Sequence, residues 1–525
     1  MPKPKQPVSA PQPASRLERI SDRLDAAGAR IPEKLRTPLC MLIALVIALC
    51  MYFAGHGSPA HAFWDENYHV TSAQRYLDGI GFLESHPPLG KLLIAAGEKL
   101  TGDNATVDKS VFDGTKYING DAIPPAFSFA GMRMMPSLFG ALGALLFLGL
   151  MIELTGSRLT GLLFSSLYLF ENAWIVHFRA VHLDSFQMFF CLGALWVFVR
   201  MWKSTQPLTW RAYAAMATLC GLGIMVKVNA ALLLVLFPVI YFRDGATRAI
   251  GFRVAAQARN FALKAGVSVL AIVVVTAIVM SLHALIAAKP PVAGSAGDTD
   301  KRFMSQTYQD YLAGRHAFGP STLLAVTQDY FTFMNHDHRG VPKYDACKPG
   351  ENGSPPLHWP LHDKTINYRW DSSNGMTRYV QLAGNQLSWY LGLAGVLLSL
   401  LTIANRRIFK VEVGNDRSYA LIEVFTGLYV IFMLLHLYLG AQRVMYLYHY
   451  FIGLLISYVL LVLNWQNLCA LHEVRTGMRR LLAAALALAI LASCLFFLPL
   501  SNHWPLSKQQ CEMRNVFSRI VSCQG

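Results

Sequence analysis

The stretch at residues 131–153 has the sequence GMRMMPSLFGALGALLFLGLMIE. Its only charged side chains are Arg133 near the start and Glu153 at the end. A helix of about 20 apolar residues crosses the roughly 30 Å hydrocarbon core of a bilayer. The stretch is therefore predicted to be a transmembrane helix with Arg133 at one boundary.

The same pattern recurs along the whole chain. Of the 525 residues, 54% are hydrophobic and only 15% are charged, and the mean hydropathy is +0.36. Soluble domains carry roughly 25% charged residues, so this composition excludes a cytosolic enzyme. The apolar runs predict an all-α polytopic membrane protein. About eleven spans are expected, at 38–54, 131–153, 159–178, 182–199, 212–226, 228–242, 265–287, 385–404, 418–439, 444–464 and 481–500.

Basic residues predict the orientation of these spans. Of the 46 Lys and Arg residues, 24 fall on one side, in the amino-terminal segment and in the connections near residues 158, 200–211, 243–264, 406–417 and 475–480. Because Lys and Arg are enriched in cytoplasmic loops, the amino terminus is predicted to be cytoplasmic and the carboxyl terminus outside. The net charge of +15 then requires no nucleic-acid partner.

This topology divides the chain into segments. Residues 1–37 are expected to form a cytoplasmic, largely disordered segment, with no cleavable signal peptide, and 38–500 the transmembrane domain. Two long outer loops, 55–130 and 288–384, and an outer tail, 501–525, remain. Loops of this length in a tight bundle are usually functional.

The outer tail contains two cysteines, Cys511 and Cys523. They are candidates for a disulfide, but their spacing alone does not decide whether the geometry allows one.

Titratable side chains are concentrated at the predicted outer ends of several spans. A charge at membrane depth costs on the order of 3 kcal/mol on insertion scales, so embedded ionisable groups are candidate functional residues. Snorkelling at helix ends accounts for one or two such residues, but poorly for acids and bases together. We therefore predict a shared outer site formed from Arg133, Glu171, Arg179, His182, Asp184, Lys227, Arg443 and His449.

The first outer loop contains the most informative residues. Asp65 and Glu66 follow the first span in the segment FWDENYH at 63–69. Partial desolvation and mutual repulsion can raise the pKa of one carboxyl, which suits a general base; the alternative is that the pair caps a short helix. The loop continues with HPPLGK at 86–91. There the prolines stiffen an extended entry, the glycine allows close backbone approach, and the lysine begins an amphipathic helix at the membrane interface.

These segments resemble the dolichyl-phosphate-mannose protein O-mannosyltransferases, members of glycosyltransferase family 39 and of the membrane-embedded GT-C superfamily. The first loop of that family carries an Asp-Glu pair and a His-Pro-Pro-Leu-Gly-Lys block, matched here by Asp65, Glu66, His86, Pro87, Pro88, Leu89, Gly90 and Lys91. Further matches run in order over residues 60–465: Arg133, Phe170-Glu171-Asn172, Arg179 to Asp184, Lys227, Gly384-Asn385 with Trp389, and Arg443 ahead of Tyr448-His449-Tyr450. The resemblance implies a GT-C fold with about 11 transmembrane helices and two long outer loops.

The resemblance also implies a reaction. Mannose would be transferred with inversion from a polyprenyl-phosphate carrier to Ser or Thr hydroxyls of exported proteins at the outer face. Asp65 would be the general base and Glu66 would orient the acceptor or the pair, and the two could exchange roles. Arg133 is the first candidate for stabilising the leaving phosphate. The other donor-binding candidates are Arg179, Lys227, Arg443 and His449, and the supporting candidates are His86, Pro87, Pro88, Gly90, Lys91, Glu171, Asp184 and Asn385.

Two of these roles stay open at this point. Asp184 is either part of an ion-pair scaffold, with Lys227, Arg179 or Arg443 as its partner, or a catalytic group. Lys91 is expected to meet lipid headgroups rather than substrate.

The second outer loop is expected to form a lid or an acceptor surface that uses Trp and Tyr side chains. Its acids and histidines are irregularly spaced, and the chemistry of the family requires no metal, so a metal site is the weaker alternative and no cofactor is predicted to be required. The residues concerned are His336, Asp337, His338, His358, His362 and Asp363.

Departures from the family pattern limit what the resemblance implies. Residues 288–384 are too few for the MIR domain of eukaryotic members, so the chain resembles the bacterial branch, which would lie in the plasma (inner) membrane. Glu84 stands where an Asp commonly precedes the His-Pro-Pro block. The sugar, the acceptor and the oligomeric state stay open.

Two other functions are therefore kept as alternatives. One is the same donor chemistry with a glycolipid, lipid A or polysaccharide acceptor. The other is a secondary transporter, against which the charges at the span ends and the lack of a visible inverted repeat both argue.

Overall fold

The computed structural model describes residues 32–112, 115, 118–247, 254–295, 297–411, 416–516, 521 and 523. Most of the predicted cytoplasmic segment, residues 1–31, lies outside the described residues, as do Arg248 and Arg253 among the residues used to predict orientation.

Helices dominate the described residues. The α-helices are α1 (Glu33–Phe53), α2 (Glu66–Asp78), α3 (Leu89–Thr101), α4 (Ala130–Thr155), α5 (Arg158–Phe164), α6 (Ser166–Leu169), α7 (Asn172–Phe178), α8 (Asp184–Lys203), α9 (Trp210–Ile224), α10 (Leu236–Thr247), α11 (Val254–Ile286), α12 (Gln306–Leu312), α13 (Pro320–Arg339), α14 (Gln386–Arg407), α15 (Asp416–Gly440), α16 (Phe451–Leu471), α17 (Thr476–Ser501) and α18 (Lys508–Glu512). Short 3₁₀ turns cover Ser110–Phe112, Gly120–Ala122, Val228–Val235, Asp298–Phe303, Pro356–Leu361 and Leu447–Tyr450. The strands are β1 (Ile366–Ser373), β2 (Met376–Leu382) and β3 (Pro505–Leu506).

Eight helices in the described part of the chain are long and apolar enough to cross a membrane. They are α1, α4, α8, α11, α14, α15, α16 with the turn before it, and α17. A ninth span is possible if Arg158–Leu169 and Asn172–Phe178 count as one, although they are bent by 63°. The predicted all-α polytopic class is therefore confirmed, but the count of eleven is not.

The difference in count has local causes. The predicted span 212–226 is α9, whose 15 residues reach only about 22 Å at 1.5 Å per residue. The predicted span 228–242 is divided between the 3₁₀ turn Val228–Val235 and α10. The break in the predicted span 159–178 occurs at Glu171, whose side chain accepts a hydrogen bond from the backbone N–H of Ala173 and so starts α7.

Helix α16 lies at the centre of the bundle, since 94% of its span window is buried. Its close packing against α14 requires a glycine, because a Cβ added at Gly395 would lie 2.5 Å from the backbone nitrogen of Leu461. The main apolar core surrounds α16 and includes Trp174, Trp389 and Tyr458. This core fixes the ends of the helices that carry the site.

The described parts of the long loops 54–129 and 287–385 and of the tail after Ser501 cover one end of the bundle, which we call the loop face. There β1 and β2 form an antiparallel hairpin, and β3 from the tail adds to β2. The register of the hairpin shifts between Asn367 and Arg369. A disulfide between Cys511 and Cys523 closes the tail, which answers the question left open by their spacing.

Candidate active site

Asp65 lies immediately before α2 on the loop face. The preceding Trp64 adopts a left-handed backbone conformation (φ 50°), which is unusual for a bulky residue and recurs at functional sites. Asp65 stays partly exposed, and its Oδ2 accepts a 3.3 Å hydrogen bond from the hydroxyl of Tyr448. Burial raises the pKa of Asp65 to about 6, although Lys227 and Tyr448 act to lower it. Such a carboxylate can accept a proton near neutral pH.

Glu66 has a different environment from its neighbour. It is fully buried, and each carboxylate oxygen accepts two hydrogen bonds. Oε1 accepts from Arg133 Nε at 2.7 Å and from the Val181 amide at 2.8 Å. Oε2 accepts from Arg133 Nη2 at 2.7 Å and from the Phe63 amide at 3.1 Å. These contacts occupy its lone pairs, so the geometry favours Asp65 as the base and Glu66 as a structural residue. Asp65 makes no side-chain cap hydrogen bond to α2, which leaves its carboxylate available.

Arg133 is not placed as a phosphate ligand would be. Its side chain is completely buried, and besides Glu66 its guanidinium donates to the carbonyls of Pro59 at 2.7 Å, His61 at 2.9 Å and His56 at 3.4 Å. All five N–H groups therefore have acceptors. The guanidinium also lies between the rings of Phe63 and Phe129, 4.9 and 4.7 Å from their centroids. The structure thus departs from the predicted role, and Arg133 holds the turn that carries Asp65.

Lys227 and Asp184 form an ion pair beside Asp65. The Lys227 ammonium lies 2.8 Å from both carboxylate oxygens of Asp184 and 5.4 Å from the ring centroid of Tyr448. Nε2 of His177 lies 2.8 Å from Asp184 Oδ2, and Nδ1 of the same ring lies 2.7 Å from the hydroxyl of Tyr368. The scaffold role considered for Asp184 therefore has a geometric basis, with Lys227 as its partner.

A small cavity opens next to this ion pair. Its polar lining consists of amides and charged groups, with Gln187 donating to the Asn229 side chain at 2.5 Å and to the Lys227 carbonyl at 3.1 Å. Its apolar wall comes from the interior of the bundle. The lining residues are Asp184, Gln187, Met188, Lys227, Asn229, Tyr448, His449, Phe451 and Ile452. The predicted residues His449 and Lys227 thus meet in one cavity, together with an amide pair that the sequence did not indicate.

The His-Pro-Pro-Leu-Gly-Lys block packs α3 against the site. Leu89 donates its amide hydrogen to the Met225 carbonyl at 3.1 Å, two residues before Lys227. A Cβ at Gly90 would lie 2.8 Å from a methyl group of Leu183, so a larger residue would displace that side chain. Pro87 and Pro88 are buried ahead of the helix. The block therefore positions the segments that carry Asp184 and Lys227.

Lys91 differs from its expected role. Its side chain is only 1% exposed and is paired with Glu84, whose own carboxylate also accepts a 3.2 Å hydrogen bond from Ser72. Burial lowers the pKa of Lys91 well below its ordinary value. A buried, paired ammonium does not reach lipid headgroups, so the lipid contact expected for Lys91 is not what the structure shows.

Arg443 joins the first and second loops. Its Nη1 lies 2.9 Å from Nδ1 of His338, whose Nε2 lies 2.7 Å from the Ser85 carbonyl. The ring of His86 lies 5.8 Å from that of His338, and burial lowers the pKa of His86 well below its ordinary value. Arg443 is partly exposed at this position and remains a candidate anion ligand at the rim of the site.

Glu171, Asn385 and Arg179 form framework contacts elsewhere. Oε1 of Glu171 accepts from the Asn385 amide at 2.8 Å and Oε2 from the Tyr458 hydroxyl at 2.9 Å, in the bundle core. The Asn385 side chain donates to the Phe170 and Ile490 carbonyls at 2.9 Å. Arg179 is 6% exposed and hydrogen-bonds Asn502 at the end of α17. None of these contacts involves Asp65 or Lys227.

The six second-loop residues considered for a metal do not form one cluster. His358 and Asp363 pair at 2.5 Å on the surface, His362 is buried and accepts from the Gly384 amide, and His338 contacts Arg443. Within the described residues, no group of three or more His, Cys, Asp or Glu side chains has an arrangement that could hold a metal ion.

Three functional candidates escaped the sequence analysis. Tyr448 was part of a matched segment without a role, whereas His177 and Tyr368 were not singled out at all. His177 lies between two matched blocks, Phe170-Glu171-Asn172 and Arg179 to Asp184. It lies seven residues before Asp184, but a break between helices α7 and α8 separates them, so helical spacing gives no signal that the two side chains would meet.

Comparisons with known proteins give a consistent assignment. Residues 42–244 match the family model described as dolichyl-phosphate-mannose-protein mannosyltransferase, and residues 333–520 match that for the C-terminal four-transmembrane region of protein-O-mannosyltransferase. Protein O-mannosyl-transferase 2 of Drosophila pseudoobscura pseudoobscura is 31% identical over 147 residues, covering 28% of this chain and 19% of the relative. Its namesake from Danio rerio is 28% identical over 214 residues, covering 39% and 27%. The matched part therefore spans about a fifth to a quarter of the length of these relatives.

One solved structure is similar along nearly the whole chain. It is the Saccharomyces cerevisiae protein O-mannosyltransferase Pmt1-Pmt2 complex bound to the sugar donor, with a TM-score of 0.72, 14% identity and 94% coverage of both chains. At this identity the likeness shows the fold alone.

Proposed function

Because the chain belongs to the dolichyl-phosphate-mannose-protein mannosyltransferase family and has its GT-C fold, we propose that it transfers mannose from a polyprenyl-phosphate carrier to Ser or Thr hydroxyls of exported proteins. One observation carries the proposal. Asp65, an accessible carboxylate whose pKa is raised to about 6, stands beside a cavity into which Lys227 projects. A proton acceptor and a cation for phosphate are thus adjacent.

The acceptor side of the proposed reaction centres on Asp65. The hydroxyl oxygen of Ser or Thr attacks the anomeric carbon while Asp65 takes the hydroxyl proton. The bond from that carbon to the phosphate oxygen breaks with its electron pair, and a polyprenyl phosphate leaves. A single displacement of this kind inverts the anomeric centre. A positioned base contributes roughly 10²- to 10⁴-fold to the rate.

The donor side centres on Lys227 instead of Arg133. The negative charge that develops on the leaving phosphate needs a cation held in a partly dehydrated site. Lys227 is 13% exposed, and its ammonium faces the cavity that Gln187 and Asn229 line with amides. Met188 and Ile452 form the apolar wall of the same cavity.

The distribution of basic residues supports a location for the reaction. The described parts of the basic connections lie at the end of the bundle opposite the loop face, and the positive-inside pattern then favours an active site outside the cytoplasm. We accordingly propose a bacterial inner-membrane protein with a cytoplasmic amino terminus and a periplasmic active site. A donor presented at that face meets polypeptides as they are exported.

A reconstituted transfer assay tests the proposed function. The purified chain, reconstituted in proteoliposomes, is incubated with radiolabelled polyprenyl-phosphate mannose and one acceptor at a time: a Ser/Thr peptide, a glycolipid, lipid A or a polysaccharide. We expect the label to be transferred to the peptide. This transfer should be lost in Asp65→Asn and absent when the donor carries another sugar. Transfer only to a lipid or polysaccharide contradicts the protein acceptor. No transfer to any acceptor, with flux of substrate across the membrane instead, contradicts the enzyme assignment.

A further inference from the structure

A chain of hydrogen bonds links the hairpin on the loop face to the cation of the donor cavity. Tyr368 on β1 lies 2.7 Å from Nδ1 of His177, and Nε2 of His177 lies 2.8 Å from Asp184. Asp184 in turn holds Lys227 at 2.8 Å. Tyr368 and His177 are buried, being 7% and 1% exposed.

The direction of each hydrogen bond follows from the ion pair at its end. Asp184 is held as a carboxylate by the Lys227 ammonium, so it only accepts, and Nε2 of His177 must carry the hydrogen. In the neutral imidazole, Nδ1 is then the bare nitrogen and accepts from the Tyr368 hydroxyl. Asp184 therefore selects the tautomer in which His177 donates to it, and the Tyr368 hydroxyl satisfies the remaining Nδ1.

The position of Tyr368 on its strand is also specific. It is the residue at which the pairing of β1 with β2 slips, between Asn367 and Arg369. A bulge of this kind redirects a side chain and is common next to active sites. Here the redirected ring stacks on Trp64, with centroids 5.1 Å apart and planes at 30°. Trp64 directly precedes Asp65. The Tyr368 side chain therefore contacts the turn that carries Asp65 through its ring, and the Lys227–Asp184 ion pair through His177.

We propose that Tyr368 and His177 are positioning residues for the donor phosphate. They fix the orientation of the Asp184 carboxylate and, through it, the direction in which Lys227 presents its ammonium to the cavity. This inference rests on the proposed function, because it assigns Lys227 to a lipid phosphate. Neither residue touches the reacting atoms.

A second buried Tyr–His pair, Tyr76 and His283, resembles the Tyr368–His177 pair but is not linked to an ion pair, so it serves as a control. Tyr76 and His283 are buried, and the Tyr76 hydroxyl lies 2.8 Å from Nδ1 of His283, as in the Tyr368–His177 pair. The other nitrogen of His283 lies 3.4 Å from the Tyr308 hydroxyl instead of a carboxylate. Removal of the Tyr76 hydroxyl therefore deletes an equivalent buried hydrogen bond without disturbing a charged group.

Direct binding of a polyprenyl phosphate tests the proposal without requiring catalysis. The full chain is prepared in nanodiscs as wild type, Tyr368→Phe and Tyr76→Phe, and binding is titrated calorimetrically beside a thermal unfolding curve. Tyr368→Phe keeps the ring on Trp64 and is expected to weaken binding about tenfold, the effect of losing about one hydrogen bond. In transfer assays the KM for the donor is expected to rise by the same factor, with the KM for the acceptor peptide unchanged. Tyr76→Phe is expected to change neither constant.

The other possible results contradict either the positioning role or the proposed function. If Tyr368→Phe binds polyprenyl phosphate as tightly as the wild type, the positioning role is overturned. The same holds if donor and acceptor affinities fall equally, in proportion to the loss of thermal stability and no differently from Tyr76→Phe. Either result leaves the proposed function intact. A wild-type protein that binds no polyprenyl phosphate refutes the proposed function and, with it, this inference. If Tyr368→Phe does not fold, His177→Phe, which keeps a ring against Tyr448, is judged by the same criteria.

Discussion

Glu66 and Arg133 are joined by two hydrogen bonds of 2.7 Å, and both side chains are completely buried. This pair lies 67 residues apart in sequence and fixes the turn that ends in Asp65. The adjacent carboxylates of Asp65 and Glu66 therefore have different roles. Glu66 neutralises an interior cation, whereas Asp65 remains accessible beside the donor cavity. The separation predicts different phenotypes for the two residues.

Loss of Arg133 is expected to destabilise the protein. Removal of one partner from a buried ion pair leaves the other charge uncompensated and typically costs about 3–5 kcal/mol. Arg133→Ala should therefore lower the unfolding temperature and the yield of folded protein, and Arg133→Lys should not restore them, because lysine cannot supply five N–H groups. Arg158→Lys, in a largely exposed pair with Glu33 at 3.6 Å, is the control and should change little. A stable Arg133→Ala protein that has lost only polyprenyl phosphate binding would restore the phosphate role first expected for Arg133.

Substitution of the two carboxylates should separate catalysis from folding. Asp65→Asn is expected to lower kcat by about 10²- to 10⁴-fold, with the binding of donor and the unfolding temperature almost unchanged. Glu66→Gln, in contrast, should lower the unfolding temperature, since Arg133 then faces a neutral amide. Measurement of kcat, donor affinity and thermal unfolding on both variants makes the comparison. If Glu66→Gln were stable and catalytically dead while Asp65→Asn stayed active, the assignment of the base would be reversed.

The sequence predicted where the charged residues near the membrane lie, but not which of them form ion pairs. Arg133, Asp184 and Lys227 were identifiable because charges near a bilayer are rare and need a reason. Which cation pairs with which acid depends on chain segments that meet only in three dimensions. Arg133 was expected at the phosphate because its contact with Glu66 crosses a loop of more than sixty residues, and no local periodicity reports such a contact.

The remaining residues of the site were hidden for two further physical reasons. Tyr368 reaches the site through a slip in strand register, and a slip of one residue reverses which side chains face inward. His177 lies near the end of α7 and Asp184 begins α8, so helical spacing does not relate the two residues. The bend at Glu171 likewise was not predicted, because the carboxylate that caps α7 stands within a mostly apolar run long enough for one span.

The pH dependence of transfer should report the raised pKa of Asp65. Because burial raises that pKa to about 6, the carboxyl is protonated below pH 6 and cannot accept the hydroxyl proton. The rate is expected to fall about tenfold per pH unit below that point and to level off above it. Tyr448→Phe removes a hydrogen bond that favours the carboxylate, so it should move this limb to higher pH. A limb that stays in place in Tyr448→Phe would show that another group titrates.

The ion pair of Lys227 and Asp184 allows binding and stability to be separated by a double substitution. Lys227→Met removes the cation of the cavity and leaves the Asp184 carboxylate with its hydrogen bond from His177. The single variant should therefore lose both donor affinity and thermal stability. The double variant Lys227→Met with Asp184→Asn removes the stranded charge, so the unfolding temperature should partly recover. Donor affinity should not recover, because no cation has returned to the cavity. Recovery of polyprenyl phosphate binding in the double variant would show that Lys227 serves only to neutralise Asp184 and that the phosphate is held elsewhere, with Arg443 as the next cation to substitute.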